Sequence, residues 1–373
     1  MTVVSFSGAD VHIDGRPTYA GRVFEGYRVE GLLFNVRAVQ ALFDDANPAT
    51  RHHWAYPDTG EWDADRNADE FCAALPTWRD HGVLGVTINL QGGGPTYTPD
   101  PYRRYVNNAF TSRGALKPDY ARRLDRVLAR ADELGMVVLV GLFYWTQLLH
   151  MEGEPAIWRA ADAALEHLAR SGRRHILIEL ANEVDVVVDQ TPYQRLFGWQ
   201  TVHEFLLALR ERHPGLLYST SGGGVAPETG RCLPSPQFVA AADYVLIHGN
   251  GARPPQIARA VEMIRALPEY QAAPKPIIYN EDSPSLANME AAWRAGASWG
   301  YYDQGWLGQG TDAYSDEAYV DYAVRPRGNR GPFEALSGLQ TPPINWGLNT
   351  PFKRAFFERV AAITAAPAAT EVS

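Results

Sequence analysis

The stretch that most constrains this chain is His175-Ile176-Leu177-Ile178-Glu179-Leu180-Ala181-Asn182-Glu183, an apolar run of strand length that stops at an amide followed by a carboxylate. A run apolar on both faces reads as a strand covered from both sides, the habit of parallel sheets layered with helices. Asn182 and Glu183 are then delivered at its C-terminal tip. Pro276-Ile277-Ile278-Tyr279-Asn280-Glu281 repeats the design further along, so two glutamates each sit at the mouth of a predicted strand.

Six further segments read as strands: 31–37, 85–91, 136–145, 215–220, 243–248 and 297–303. Helical patterns cover 65–81, 117–134, 158–171, 192–212, 256–266, 285–295 and 351–364. Eight strands, each followed sooner or later by a helix, give an α/β chain of the (β/α)8 TIM barrel type. With 373 residues, 46% of them hydrophobic, the chain can bury one large core, so we read residues 1–373 as a single domain. Residues 1–30 form an extension, because Val11-His12-Ile13-Asp14-Gly15-Arg16-Pro17-Thr18 alternates around an Asp-Gly pair, a strong hairpin signal. Residues 365–373 read as a flexible tail. The connection after the eighth strand, 304–348, is too long for an ordinary link, and its Trp306, Tyr314, Phe333 and Trp346 would wall a cleft or pack on the outer helices.

Composition excludes several function classes. A formal charge of -9 and a pI near 5.6 provide no basic face for nucleic acid or anionic lipid. No stretch approaches the length of a membrane span and the first residues carry no export signal, so a cytoplasmic location is expected. Cys72 and Cys232 lack metal-knuckle spacing, and a disulfide between them is not expected. Adjacent His52 and His53 on a loop also lack ligand spacing, and no His-x-His or convergent ligand set marks a metal site, so no metal or other cofactor is expected. Gly92-Gly93-Gly94-Pro95 follows a strand but lacks both the Lys-Ser/Thr ending of a phosphate loop and the GxGxxG register.

In a barrel the C-terminal strand ends share one face, where active sites of this fold lie. That face would collect Asn35, Arg37, Asn89, Gln91, Tyr144, Trp145, Asn182, Glu183, His248, Glu281, Trp299 and Tyr302, with Trp306 close by. Two carboxylates at one mouth suit glycosidic bond chemistry, in which one attacks the anomeric carbon while the other protonates the leaving oxygen. Glu179 shares side-chain parity with Glu183 but lies about 13 Å deeper along an extended strand, where a buried structural acid is expected. Asp282 has the opposite parity to Glu281 and should face away from the lumen.

Ile178-Glu179-Leu180-Ala181-Asn182-Glu183 resembles the fourth strand of glycoside hydrolase clan A, whose family 5 members, cellulase-type barrels, carry an Asn-Glu pair there and a second glutamate ending strand seven. The resemblance runs from about Gly31 to Thr364. It implies a retaining mechanism with Glu183 as general acid/base, Glu281 as nucleophile, and Asn182 bonding the sugar 2-hydroxyl. His248 matches a family histidine on strand six, though Asn250 stands where a tyrosine is expected. Ser298-Trp299-Gly300-Tyr301-Tyr302 resembles the strand-eight pattern, with Tyr302 in place of a stacking tryptophan. Asn89 and Gln91 stand where the family has an arginine beside the nucleophile, and Arg37 on the first strand either serves instead or does not. The expected activity is a retaining β-glycosidase acting on a small oligosaccharide or glycoside. A transglycosidase and a non-catalytic carbohydrate-binding barrel are the alternatives. Sugar, linkage, exo or endo cleavage and oligomeric state are left open.

Overall fold

The computed structural model describes residues 1–92, 104–303, 333–336 and 338–365. Trp306, Tyr314, most of the long connection and all but the first residue of the expected tail lie outside that set. Three short strands open the chain, β1 (Val4–Ser7), β2 (Asp10–Ile13) and β3 (Arg16–Pro17), paired antiparallel in that order. Asp14 and Gly15 both have positive φ, 52° and 75°, the backbone that a two-residue hairpin turn demands. The expected ribbon is therefore present, with β1 as an additional strand, and a second small hairpin, β4 (Val23–Phe24) and β5 (Tyr27–Arg28), follows it.

The eight strands of the (β/α)8 barrel are β6 (Asn35–Arg37), β7 (Gly85–Asn89), β8 (Val137–Tyr144), β9 (Ile176–Asn182), β10 (Leu217–Ser219), β11 (Val245–His248), β12 (Ile277–Glu281) and β13 (Gly300–Tyr301). Six run in one parallel sheet in the order β10-β9-β8-β7-β6-β13, while β11 and β12 pair with each other. Backbone bonds carry the order onward: Tyr279 N–H donates to Ser298 O and Ser298 N–H to Ile277 O, both at 3.0 Å, between β12 and the residues before β13, and Asp243 N–H, just before β11, donates to Tyr218 O of β10 at 3.0 Å.

Among the described residues each strand is followed by a helix, with shorter helical turns between some of them: α1 (Ala64–Asp80), α2 (Pro118–Glu133), α3 (Glu154–Arg170), α4 (Val202–Arg212), α5 (Pro236–Ala241), α6 (Pro254–Arg265), α7 (Leu286–Arg294) and α8 (Pro351–Thr364). In α2 the buried Tyr120, Leu124, Val127, Leu128 and Ala131 recur at helical spacing, which lays one apolar face on the barrel. Asp63, Ser235, Ser285 and Thr350 cap α1, α5, α7 and α8 by accepting a backbone N–H of the first turn.

The barrel interior is apolar below and polar above. At the N-terminal end Leu33, Leu84, Leu139, Leu177, Leu246 and Ile278 pack with Val4 and Val11 of the ribbon, so the extension plugs the barrel floor. Val86 and Ile88 belong instead to the core beneath the helices, which by alternation sends Thr87 and Asn89 inward. Among the described residues, no helix is long and apolar enough to cross a membrane. Both cysteines are free and buried.

Leu139 is fully buried in the floor cluster. Leu139→Ala should cost about 2–5 kcal/mol, read as a lower urea midpoint at unchanged slope.

Candidate active site at the C-terminal face

The last turn of β12 sets the geometry of the site. Val245, Leu246 and Ile247 lie opposite Ile277, Ile278 and Tyr279, but His248 lies opposite Glu281, so Asn280 is the extra residue of a bulge. Tyr279 therefore faces outward, its hydroxyl donating to Ile257 O of α6 at 2.8 Å. Asn280 and Glu281 both reach the lumen, and Asp282 turns out again to accept from Asn288 Nδ2 of α7 at 2.9 Å and Trp299 Nε1 at 3.2 Å. Without the bulge, strict alternation would put Asn280 and Glu281 on opposite faces.

Arg37 rises from β6 into the same space. Its Nε lies 2.5 Å from Glu281 Oε2, its NH1 lies 3.6 Å from Glu179 Oε2, and its NH2 donates to Asn182 Oδ1. The guanidinium also sits over the Tyr302 ring, 5.9 Å from its centroid. Asn250 Nδ2 donates to the other oxygen of Glu281 at 2.5 Å, so that carboxylate has an ion-pair contact on one oxygen and a hydrogen bond on the other.

Glu183 ends β9 differently. Its backbone is left-handed (φ 54°, ψ 67°), which turns the chain sharply out of the strand. His248 then lies between the acids: Nδ1 is 3.2 Å from Glu183 Oε1 and 3.6 Å from Glu281 Oε2, and Nε2 is 3.9 Å from Glu179 Oε1. Accessibility decides which of these groups can meet a ligand. The side chains of Glu179 and His248 are fully enclosed and that of Arg37 nearly so, whereas Glu281 keeps 8% and Glu183 17% of its surface.

Burial raises the pKa of Glu183 to about 7 against the opposing field of Arg37, with Asp185 adding to the rise. Burial likewise depresses His248 to about 4, outweighing the nearby Glu281, so its imidazole is neutral at pH 7.

The structure thus brings Arg37, Asn182, Glu183, His248, Glu281 and Tyr302 together, and places several other expected site residues elsewhere. Asn35 is buried lower down, its amide donating to Leu33 O and Tyr279 O at 3.1 Å each, and it belongs to the strand scaffold. Asn89 is buried against Gly141, where a Cβ would come within 2.3 Å of its Oδ1. Gln91 ties β7 to its neighbours, donating to Asn108 Oδ1 at 3.2 Å and accepting Tyr144 N–H at 3.0 Å. Trp145 is buried at the start of a short helix (Trp145–Leu148), and Tyr144 is half-buried beside it. Trp299 faces outward, between Asp282 and Phe356 of α8, because strand parity turns it away from the lumen. Trp346 packs on Phe71 and bonds Asn67 Oδ1 at 3.2 Å, so it covers α1 and does not wall a cleft.

Two further corrections concern the acids. Glu179 is a buried acid as expected, but only one imidazole separates it from Glu183, because the left-handed turn folds the strand tip back over what an extended chain would place about 13 Å away. Glu183, His248 and Glu281 each offer a ligand atom within 4.8 Å of the others, a convergent set the sequence spacing did not reveal. Arg37 already supplies the positive charge at Glu281, and a cation there would press against the guanidinium. Asn250 and Ser221 are the contacts missed. Asn250 had a signal, two positions after His248, while Ser221 had none.

No family model matches the sequence, and no curated protein is significantly similar to it. Among solved structures the chain is similar to the β-1,4-D-mannanase from Cryptopygus antarcticus, at 11% identity and a TM-score of 0.50 over 92% of this chain and 100% of that one. It is equally similar to the endo-1,4-β-mannanase from Eisenia fetida, at 12% identity and a TM-score of 0.50 over 81% of this chain and 89% of that one. At such identity the likeness establishes the barrel architecture.

Arg37 is the buried counter-charge of both Glu179 and Glu281. Arg37→Met should lower stability by about 3–5 kcal/mol in a denaturant titration, and adding Glu179→Gln to it should recover part of that loss.

Proposed function

We propose that this chain is a glycoside hydrolase, a retaining β-glycosidase in which Glu183 is the general acid/base and Glu281 the nucleophile. The observation that supports this most is the pair itself: carboxyl oxygens of Glu183 and Glu281 lie within 4.8 Å at the open end of the barrel. Retaining enzymes hold their carboxyl groups about 5–5.5 Å apart, close enough for direct attack on the anomeric carbon, whereas inverting enzymes leave room for a water.

The environments divide the two roles. Glu183 holds a proton up to about pH 7 and is the more accessible, so it can protonate the glycosidic oxygen. Glu281 has the Arg37 guanidinium against one oxygen and the Asn250 amide donating to the other, which fixes the carboxylate for attack. Attack forms a bond from a Glu281 oxygen to the anomeric carbon as the bond to the leaving oxygen breaks and takes the proton of Glu183. The Glu183 carboxylate then removes a proton from water, which displaces Glu281 and regenerates both groups. Neutral His248, 3.2 Å from Glu183 Oε1, adds no charge beside the acid. Asn182, already oriented by Arg37, is placed to meet a sugar hydroxyl next to the reacting carbon.

The substrate is a small oligosaccharide or glycoside in this reading, and the names of both solved neighbours put β-mannosides first in any trial panel. The resemblance to glycoside hydrolase clan A points the same way, with Arg37 doing from the first strand what an arginine on the second does in family 5.

Glu281→Gln should abolish turnover of the phenyl β-glycoside that the parent cleaves, Glu183→Gln should slow it by about 10²–10⁴, and proton NMR of the parent reaction should show net retention. Normal turnover by either variant, or an inverted first product, would overturn the assignment. The pH profile provides a second check. Protonated Glu183 is the active form, so kcat/KM should fall as pH rises through about 7. Glu183→Gln should remove that basic limb from whatever activity remains.

A further inference from the structure

Glu183 is a residue without glycine's freedom held in left-handed backbone (φ 54°, ψ 67°) at the tip of a wholly buried strand. Such a conformation is strained and persists only where the surroundings over-determine it. The surroundings here are the residues just past β10. Thr220 Oγ1 donates to Ala181 O at 2.7 Å and accepts Ala181 N–H at 3.1 Å. Ser221 then takes both peptide donors of the turn, its Oγ accepting Glu183 N–H at 3.1 Å and its carbonyl accepting Val184 N–H at 2.9 Å.

The hydroxyl of Ser221 has one proton, and its direction is decided from below. Ser221 Oγ donates that proton to Glu179 Oε1 at 2.5 Å, which leaves its lone pairs facing Glu183 N–H. Glu179 and Ser221 are both fully enclosed, and Glu179 is braced in turn by Asn280 Nδ2 at 3.4 Å and Arg37 NH1 at 3.6 Å. Neither residue is accessible to a ligand at the mouth of the barrel.

We propose that Ser221, with its hydroxyl oriented by Glu179, is a positioning residue that pins the strained peptide of Glu183 and so aims the acid/base carboxyl. This rests on the reading of Glu183 as the acid/base. Released from the pin, the peptide of Glu183 can relax toward right-handed backbone and swing its carboxyl away from the leaving oxygen. Such a fault has a specific signature. A leaving group that departs readily as an anion needs no proton, whereas a basic one does, so a misaimed acid slows only the second kind.

The test compares 2,4-dinitrophenyl and phenyl β-glycosides of the sugar that the parent cleaves fastest. Ser221→Ala should lose about tenfold or more in kcat/KM on the phenyl glycoside, part of the 10²–10⁴ that a general acid supplies, while staying within about twofold on the dinitrophenyl one. Ser221→Thr, which keeps the hydroxyl, should recover most of that loss. Ser221→Val, isosteric with Thr, should not, and it repeats the test without leaving a hole should Ser221→Ala melt before assay. Azide, a nucleophile that needs no base, should speed turnover of the dinitrophenyl glycoside by Ser221→Ala and yield a glycosyl azide. Equal losses on both glycosides, or no loss, would overturn the proposal. Glu183→Gln run in parallel separates the two levels: if it shows no dependence on the leaving group, the acid/base reading itself has failed and the pin falls with it.

Discussion

The guanidinium of Arg37 is the interaction on which the upper half of this barrel depends. Glu179 is wholly enclosed and Glu281 almost so, and ionised carboxylates at such depth are tolerated only with a counter-charge and hydrogen bonds. Arg37 meets both from one side chain and uses its remaining arm to orient Asn182. A lysine could not do this, because its single ammonium lacks the planar fork that reaches three acceptors in fixed directions. The polar layer above the apolar floor is thus a connected unit, with Ser221 and Asn280 bonded to Glu179 and Asn250 bonded to Glu281.

Two backbone irregularities turn that unit into a site. The bulge at Asn280 sends two consecutive side chains into the lumen, and the left-handed Glu183 bends the end of β9 over the deeper Glu179. Both occur at the last residues of their strands, where the ladder ends and side-chain hydrogen bonds replace it. Below them the strands are regular and the packing is ordinary, with the N-terminal ribbon completing the floor. Stability and chemistry are therefore separated along the barrel axis, as is general for this fold.

The electrostatics follow from depth. Glu183 is the most accessible of the three acids around His248, and burial still raises its pKa to about 7 against the opposing field of Arg37, whose guanidinium lies against Glu179 and Glu281 instead. His248 is kept neutral by burial and so serves as an uncharged spacer between the acids, its Nδ1 hydrogen-bonded to Glu183 Oε1. A charged imidazole in its place would favour the ionised form of Glu183 and oppose the rise that burial causes.

How much of this was legible in advance can be judged from particular residues. Apolar runs ending in Asn182-Glu183 and Asn280-Glu281, together with the alternation of strand and helix signals, determined the barrel and the two glutamates, because periodicity and strand length are local properties. Arg37 and His248 were legible for the same reason, as polar residues closing apolar strands. Asn35, Asn89 and Trp299 satisfied the same criterion and yet belong to the scaffold, since strand-end position says nothing about depth or about which face a tip presents. The nearness of Glu179, the direction of Glu281 and the hydrogen bonds of Ser221 were decided by tertiary structure alone. A one-residue bulge and one positive φ set them, and both arise from contacts between strands far apart in the chain, which no local pattern records.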